Sequence, residues 1–466
     1  MPPKKKAAKA ATSDEPGQQP EALLKVYNDF CKRLGLAPHA QVAKSLTNAE
    51  NPFVGRQIII DGGAPKDPKL GAGGMRALST SVMGIGEGMP RQPIPDSKET
   101  KPIMYKQLQE LRVWRSNIGD DGASSLAELL RLGGAEIQLQ YLELMDNDIT
   151  AIGAFALGRS LSCMMNRSLL TLSLDYNMSL KSEGVAALCM GLRTNSTLKK
   201  LSLQYCDIDE DSGGPLGEML AFTKLGLSIL DLKGNRLGGI GLRDMCPGLL
   251  RNKSLTSIVI ADNNICTRDT DVEGLRSFAE VLFNHPTLSK VDMQYNRIES
   301  SGATILIPAL DPKEGNKNIT AFLPDASIEN AVFEKIFKNG GGGKKKGKKK
   351  KSDLRLKTDI VPIDVDVDVD VVGCSGEENV KESVKESAKE KEEEDDDAKG
   401  RPPQLQLYRY KYTRDPLGKV QVGVMAQDLI GGPLNDAVSE EFDIDDGWHL
   451  QVNYEKLNGI VGFPIC

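Results

Sequence analysis

The stretch 139–149, Leu-Gln-Tyr-Leu-Glu-Leu-Met-Asp-Asn-Asp-Ile, decides the fold of this chain. Its leucines follow the pattern Leu-x-x-Leu-x-Leu, and Asn147 stands three places after the last of them. Residues two apart in a strand share one face, so Leu142 and Leu144 both point toward a core. The amide of Asn147 can bond backbone groups left unpaired where the strand turns away. An apolar stretch with helical spacing follows from Gly153, so the unit is predicted to be one strand and one helix.

The same unit recurs about seven times, and its copies are 28 to 33 residues apart. A strand-and-helix unit cannot bury its own apolar face, whereas a stack of such units can, so this period predicts a repeat solenoid. We therefore predict the fold class α/β, with the repeats spanning residues 101–325. The position of Asn147 is occupied in successive copies by Ser116, Asn147, Asn177, Cys206, Asn235, Asn263 and Asn296.

This pattern resembles the leucine-rich repeats of the ribonuclease-inhibitor type. The resemblance implies a horseshoe in which strand residues between and after the leucines lie on the concave face. Acidic and aromatic residues occupy many of these outward positions, which favours a protein or peptide partner and opposes a nucleic-acid partner. The alternative interpretation is an ordinary solvated face.

Six outward residues are predicted to contact the partner, because aromatic rings and charged groups dominate the binding energy of protein interfaces. The repeats carry no arrangement of Ser, His and Asp suited to catalysis, so this region is interpreted as a binding module. The six residues are Trp114, Asp146, Tyr176, Tyr205, Asp262 and Tyr295.

The segments before the repeats are predicted to form a tail and a cap. Residues 1–20 are interpreted as a disordered basic tail, and residues 21–100 as a helical cap followed by a loop rich in Gly and Pro. Apolar spacing predicts helices over 21–34 and 40–46, and residues 57–60 are a strand candidate. The glycines between 71 and 88 fit neither a phosphate loop nor a dinucleotide fingerprint, so we predict a loop there.

Composition limits the remaining functions. The chain has 466 residues and a net charge of -6, and its eight cysteines form no Cys-x-x-Cys pair. The three histidines are also far apart, so we expect neither a metal site nor a cofactor. No apolar run approaches the ~20 residues of a membrane span, so we expect no membrane partner. The predicted location is the cytoplasm, with the nucleus as the alternative because of the lysines between 344 and 351.

The chain changes character after the repeats. Residues 326–351 are interpreted as a closing segment and a Gly/Lys linker, and residues 374–401 as an acidic low-complexity insertion. The flanking segments 352–373 and 402–466 contain Ser-Asp-Leu-Arg-Leu-Lys from Ser352, Leu-Tyr-Arg-Tyr-Lys-Tyr from Leu407, and Val-Gly-Val-Met-Ala-Gln-Asp-Leu from Val422. Asp-Gly-Trp-His-Leu follows from Asp446. These motifs, in this order, resemble the intramolecular chaperone domain of phage endosialidase tailspikes, the peptidase S74 family.

The resemblance implies a small strand-rich α+β domain that assembles a homotrimer and cuts its own chain once. Ser352 would be the nucleophile, Lys357 its base and Asp353 a supporting residue, and the bond between Lys351 and Ser352 would be cut. A serine hydroxyl becomes a nucleophile when a neutral lysine accepts its proton. The chain is therefore either a binding scaffold with a single-turnover self-cleaving domain, or a scaffold whose degenerate chaperone domain has no enzymatic activity.

Overall fold

The computed structural model describes residues 17–339, with gaps at 64–67, 86–90, 94–99, 135, 164, 223, 267–270 and 326–327. It also describes the strands at 357–363, 407–412, 421–423, 438–443 and 447–452. The chain divides into two compact units, Met1–Lys344 and Lys345–Cys466. Among the described residues, no helix is both long and apolar enough to cross a membrane.

The described part of the first unit consists of helices and strands, which alternate along the chain from residue 110 onward. Its helices are α1 (Pro20–Arg33), α2 (Ala40–Thr47), α3 (Gly71–Met83), α4 (Gly119–Gly133), α5 (Ala151–Ser160), α6 (Lys181–Leu192), α7 (Gly213–Leu220), α8 (Gly238–Arg251), α9 (Val272–Asn284), α10 (Ser300–Leu310) and α11 (Asn330–Ile336). Its strands are β1 (Gln57–Asp61), β2 (Arg91–Pro93), β3 (Thr100–Pro102), β4 (Glu110–Trp114), β5 (Tyr141–Glu143), β6 (Thr171–Ser173), β7 (Lys200–Ser202), β8 (Ile229–Asp231), β9 (Ser257–Val259), β10 (Lys290–Asp292), β11 (Ala321–Leu323) and β12 (Lys338–Asn339).

Ten of these strands form one sheet in the order β1, then β4 to β12. All neighbours from β1 to β11 pair in parallel, and β12 closes the edge antiparallel to β11. The register places the inward-facing leucines of neighbouring strands opposite each other, as in Leu111 opposite Leu142 and Leu142 opposite Leu172. These aliphatic side chains are fully buried, so the core lies between the sheet and the helices. This parallel repeat fold confirms the α/β solenoid predicted from the spacing.

The stack of strands begins earlier than the sequence indicated. The predicted strand at 57–60 is confirmed as β1, and it pairs with β4 in the main sheet. The loop predicted at the glycines after residue 70 is wrong, because Gly71–Met83 forms helix α3. Glycine disfavours a helix, but Met75, Leu78 and Val82 are buried in the common core, and this burial outweighs the low propensity. The predicted cap helices are confirmed as α1 and α2.

The residues at the Asn147 position form a hydrogen-bond ladder, which we call the asparagine ladder. The side chain of Asn177 accepts from the backbone N–H of Asn147 at 2.9 Å and of Ile149 at 3.1 Å. Its Nδ2 donates to the carbonyls of Leu144 at 2.9 Å and Leu174 at 2.7 Å. Cys206 substitutes for an asparagine in the next repeat, where its thiol donates to the Leu174 carbonyl. The predicted role of these side chains at the turn is confirmed.

Neighbouring helices approach each other through glycine. A Cβ atom added to Gly191 in α6 would lie 1.9 Å from the carbonyl oxygen of Gly158 in α5. The same contact recurs between Gly248 in α8 and Gly217 in α7, also at 1.9 Å. Such distances leave no room for a side chain, so these helices pack backbone against backbone.

A second ladder lies where each helix returns to the next strand. In this ladder Asn195 Oδ1 accepts from the N–H groups of Thr197 and Leu198, and its Nδ2 donates to the Leu161 carbonyl at 2.7 Å. His285 occupies the corresponding position, where its Nδ1 accepts from the N–H groups of Thr287 and Leu288. Among the described residues, the buried Nε2 of His285 has no hydrogen-bond partner. Burial lowers the pKa of His285 to about 4.

The change His285→Asn is expected to stabilise the protein by about 1 kcal/mol at neutral pH, because the amide can also donate to the preceding helix. The folded-state pKa of His285 lies below the ordinary value of about 6.5, so its neutral form contributes fully above that pH. This contribution is lost as the pH falls toward 4, and its upper bound is about 3 kcal/mol. The advantage of the variant should therefore grow between pH 7.5 and pH 4.5 in urea unfolding. Equal pH dependence of stability in the two proteins would contradict the lowered pKa of His285 in the folded state.

The second unit is described as five strands. Strands β13 (Lys357–Ile363), β14 (Leu407–Tyr412) and β15 (Gln421–Gly423) form an antiparallel sheet, and β16 (Val438–Asp443) pairs antiparallel with β17 (Gly447–Val452). Of the predicted catalytic residues, Lys357 is the first residue of β13. Ser352 and Asp353 lie outside the described residues.

Candidate binding face

The helix-free face of the sheet ends in a row of turn residues, one from each repeat. Each lies immediately before a member of the asparagine ladder, and we call the set the turn row. Each of these residues has a positive φ, between 49° and 73°. The backbone N–H groups from Arg115 to Asp262 in this row bond to the next repeat, as from Tyr176 to the Gln204 carbonyl at 2.8 Å, so neighbours in the row are one strand apart. The turn row consists of Arg115, Asp146, Tyr176, Tyr205, Gly234, Asp262 and Tyr295.

Five of the six predicted contact residues belong to this row. Asp146 and Asp262 are exposed, and so are Tyr176 and Tyr295, at 46% and 65% of their surface. Tyr205 is half-buried. The sixth residue, Trp114, precedes the row by one position and is also half-buried. Its indole N–H is buried and has no acceptor among the described residues.

The structure brings two of the predicted residues into direct contact. The rings of Tyr176 and Tyr205 stack with centroids 4.9 Å apart and an interplanar angle of 15°. The ring of Tyr205 rests on Gly234, where an added Cβ atom would lie 2.2 Å from the ring. Tyr295 lies three strands beyond Tyr205, so it is separate from this stack. Within the described turn row, the tyrosines therefore form one stacked pair and one separate ring.

Carboxylates occupy the middle of the face, and the sequence did not single them out. Ser202 Oγ and the backbone N–H of Gln204 both donate to Asp175 Oδ1, at 2.7 and 2.8 Å. The side chain of Gln204 donates to Asp231 Oδ2 at 2.8 Å. Burial, reinforced by the charge of Asp175, raises the pKa of Asp231 to about 6. The repeat period identifies these positions as outward, but the bridge through Gln204 depends on side-chain packing between repeats.

The first strands of the face carry an ionic cluster around Arg112. Arg112 Nε bonds to Glu110 Oε1 at 2.6 Å, and its Nη1 lies 3.7 Å from Glu143 Oε2. The guanidinium also lies 4.6 Å from the ring centroid of Tyr141. Burial alone would lower the pKa of Arg112, but Glu110, Tyr141 and Glu143 more than offset this and raise it. These interactions join β4 and β5 at the start of the face.

Comparison with known proteins identifies the repeats. A family model described as Leucine Rich repeat matches residues 138–158 and 194–216. The chain contains leucine-rich repeats. Among curated proteins, the ribonuclease inhibitor of Mus musculus is 30% identical over 213 residues, which are 45% of this chain and 44% of that protein.

Two further curated proteins are similar to this chain. The ribonuclease inhibitor of Sus scrofa is 25% identical over 286 residues, which are 60% of this chain and 58% of that protein. The NACHT, LRR and PYD domains-containing protein 14 of Homo sapiens is 28% identical over 265 residues, which are 45% of this chain and 24% of that protein. The chain thus spans less than two thirds of the length of each of these relatives.

Proposed function

We propose that the helix-free face of the leucine-rich repeats binds a protein partner and that the turn row is the centre of the contact. The observation that carries this proposal is the exposed ring of Tyr176 stacked on the half-buried ring of Tyr205. Rigid aromatic side chains give a large contact area for little loss of conformational entropy, and they are enriched among binding hot spots. A relative named for inhibiting a ribonuclease supports a protein partner for repeats of this type.

Replacing both Tyr176 and Tyr205 with alanine is expected to weaken partner binding by about 2 kcal/mol or more, which is at least a 30-fold rise in Kd. The partner would first be captured from cells of the source organism and then purified, and binding would be measured by titration calorimetry. The matched control is Met190→Ala with Phe283→Ala, because these exposed apolar residues lie on helices α6 and α9. Equal loss of binding in both double variants would refute the proposed face.

We propose in addition that the second unit is a self-processing chaperone domain in which Ser352 and Lys357 cut the preceding bond and the unit assembles a homotrimer. The support is the order of the four sequence motifs, together with the pairing of three of the segments as β13, β14 and β15. An activated serine attacks the carbonyl of the peptide bond and forms an ester, and the lysine passes the proton of the serine to the leaving amine. Water then hydrolyses the ester and separates the two pieces. The competing hypothesis is a domain without this activity.

Purified wild type is expected to divide at Lys351-Ser352, whereas Ser352→Ala and Lys357→Ala stay at full length. The measurement is a denaturing gel combined with mass spectrometry of the new amino terminus. Lys351→Ala is the matched control, since it removes a lysine site for a contaminating protease but leaves the proposed dyad intact. Intact wild type, or equal cutting of wild type and Ser352→Ala, would rule out self-cleavage. Light scattering on each protein measures whether a trimer forms.

A further inference from the structure

The turn row contains the same pair of residues twice. Asp146 precedes Tyr176 by one strand, and Asp262 precedes Tyr295 by one strand. The N–H of Asp146 bonds to the carbonyl of Asp175, and that of Asp262 to the carbonyl of Gln294, so the members of each pair are on adjacent repeats. All four side chains of the two pairs are exposed. Each pair therefore places a carboxylate about 5 Å from the base of a tyrosine, the usual spacing of neighbouring strands.

The first pair borders a notch, which we define by the carboxylate of Asp146 and the open face of the Tyr176 ring. One face of that ring is covered by Tyr205, which belongs to the following repeat. The opposite face is consequently directed toward the preceding repeat, where Asp146 lies. Tyr205 is held on Gly234, so Tyr176 has a firm support behind it.

A guanidinium group matches both sides of this notch. The face of an aromatic ring attracts a cation, and a planar guanidinium stacks on the ring while its N–H groups bond to a carboxylate. An ammonium group carries the same charge but is not planar, so it cannot stack on the ring in this way. The carboxylate of the adjacent residue Asp175 adds to the negative charge near the notch. Two cations among the described residues act near the notch. Arg115, one repeat earlier, is bonded to Asp61 through Nε and Nη2 and interacts with Asp146 at longer range. Lys233 interacts with Tyr176.

We propose that the notch between Asp146 and Tyr176 receives an arginine side chain of the partner. This inference rests on the proposed function, since it takes the turn row as the partner-binding surface. The second pair repeats the arrangement four strands away, or about 19 Å. An extended partner segment would cover that distance with about six residues. Tyr295 has no described ring stacked behind it, so the second pair binds the same group more weakly.

The test uses N-acetyl-arginine amide as the probe and the full-length chain with ¹³C-labelled tyrosine rings. The Tyr176 signals are assigned by their loss in Tyr176→Phe. Arginine amide is expected to shift these signals with a Kd in the millimolar range, the lysine amide less strongly, and the uncharged citrulline amide not at all. Asp146→Asn should weaken arginine binding by about three- to fivefold, the range of an exposed ion pair. Asp148→Asn, which removes the same charge two residues away, should change it less than twofold.

Three results would each refute the proposed arginine site. They are equal responses to arginine and citrulline amides, an unchanged Kd in Asp146→Asn, and no shift of the Tyr176 signals. Asparagine accepts the left-handed backbone of position 146, so the variant is expected to fold normally. The outcome separates this inference from the proposed function. If the probe binds but replacing Tyr176 and Tyr205 does not weaken partner binding, the arginine site is supported and the proposed partner-binding face is refuted. If partner binding requires both tyrosines but the probe does not bind, the partner-binding face is supported and the arginine site is refuted.

Discussion

Replacing Asn177 with alanine is expected to lower the free energy of unfolding by about 4 kcal/mol, because each buried polar group left unpaired costs about 1 to 3 kcal/mol. The Asn177 side chain pairs four buried backbone groups, the N–H groups of Asn147 and Ile149 and the carbonyls of Leu144 and Leu174. Alanine can pair none of them, and water cannot reach the site because the residue is 1% exposed.

Urea unfolding of the full chain, followed by far-UV circular dichroism, measures this loss. The matched control is Asn284→Ala, which removes an exposed asparagine at the end of α9 and should change stability by less than about 0.5 kcal/mol. A similar small effect at both positions would mean that the asparagine ladder does not stabilise the stack. Cys206→Asn tests the ladder in the other direction and should leave the protein at least as stable as wild type.

The second large effect is expected from Gly191→Ala, which should destabilise the protein by about 3 kcal/mol, the upper range for overpacking. Its new methyl group would lie 1.9 Å from the carbonyl oxygen of Gly158, so α5 and α6 would have to separate. Because each repeat contacts only its neighbours, this separation weakens one interface and with it the cooperativity of the stack.

The control for this prediction is Gly214→Ala in helix α7. A Cβ atom at Gly214 meets nothing within 4 Å apart from its chain neighbours. The following Pro215 offsets the better helix propensity of alanine, so stability should change by less than about 0.5 kcal/mol. Thermal unfolding of both variants compares the two effects directly. If both glycines tolerate alanine equally, the close approach of the helices does not limit the packing.

The repeats could be predicted from the sequence because their rules are local. Alternation places Leu142 and Leu144 in the core, and the asparagine three residues later marks the end of the strand, although most of its hydrogen bonds go to the preceding repeat. Helix α3 could not be predicted, since its glycines argue against a helix and its stability comes from burial against the neighbouring repeat. Local pattern and tertiary burial conflict there, and burial decides.

The candidate face was predictable in its positions but not in its arrangement. The period identified Tyr176 and Tyr205 as outward residues, one repeat apart. Their stacking depends on Gly234 in the repeat after Tyr205, because the missing side chain of this glycine leaves room for the Tyr205 ring. The link from Asp175 through Gln204 to Asp231 likewise joins three outward residues of successive repeats. Such contacts result from the geometry of the stack, which a one-dimensional pattern does not contain.

The left-handed backbone of the turn row links recognition to folding. A bulky residue with positive φ carries a conformational penalty of order 1 kcal/mol, and Tyr176, Tyr205 and Tyr295 all have one. Glycine or asparagine at these three positions would relax the chain while erasing the aromatic contacts. Selection for thermostability alone would therefore drive the surface toward residues that bind poorly. A variant library intended to change partner choice should instead diversify the strand positions around Asp175 and Asp231, where side chains can be exchanged without this penalty.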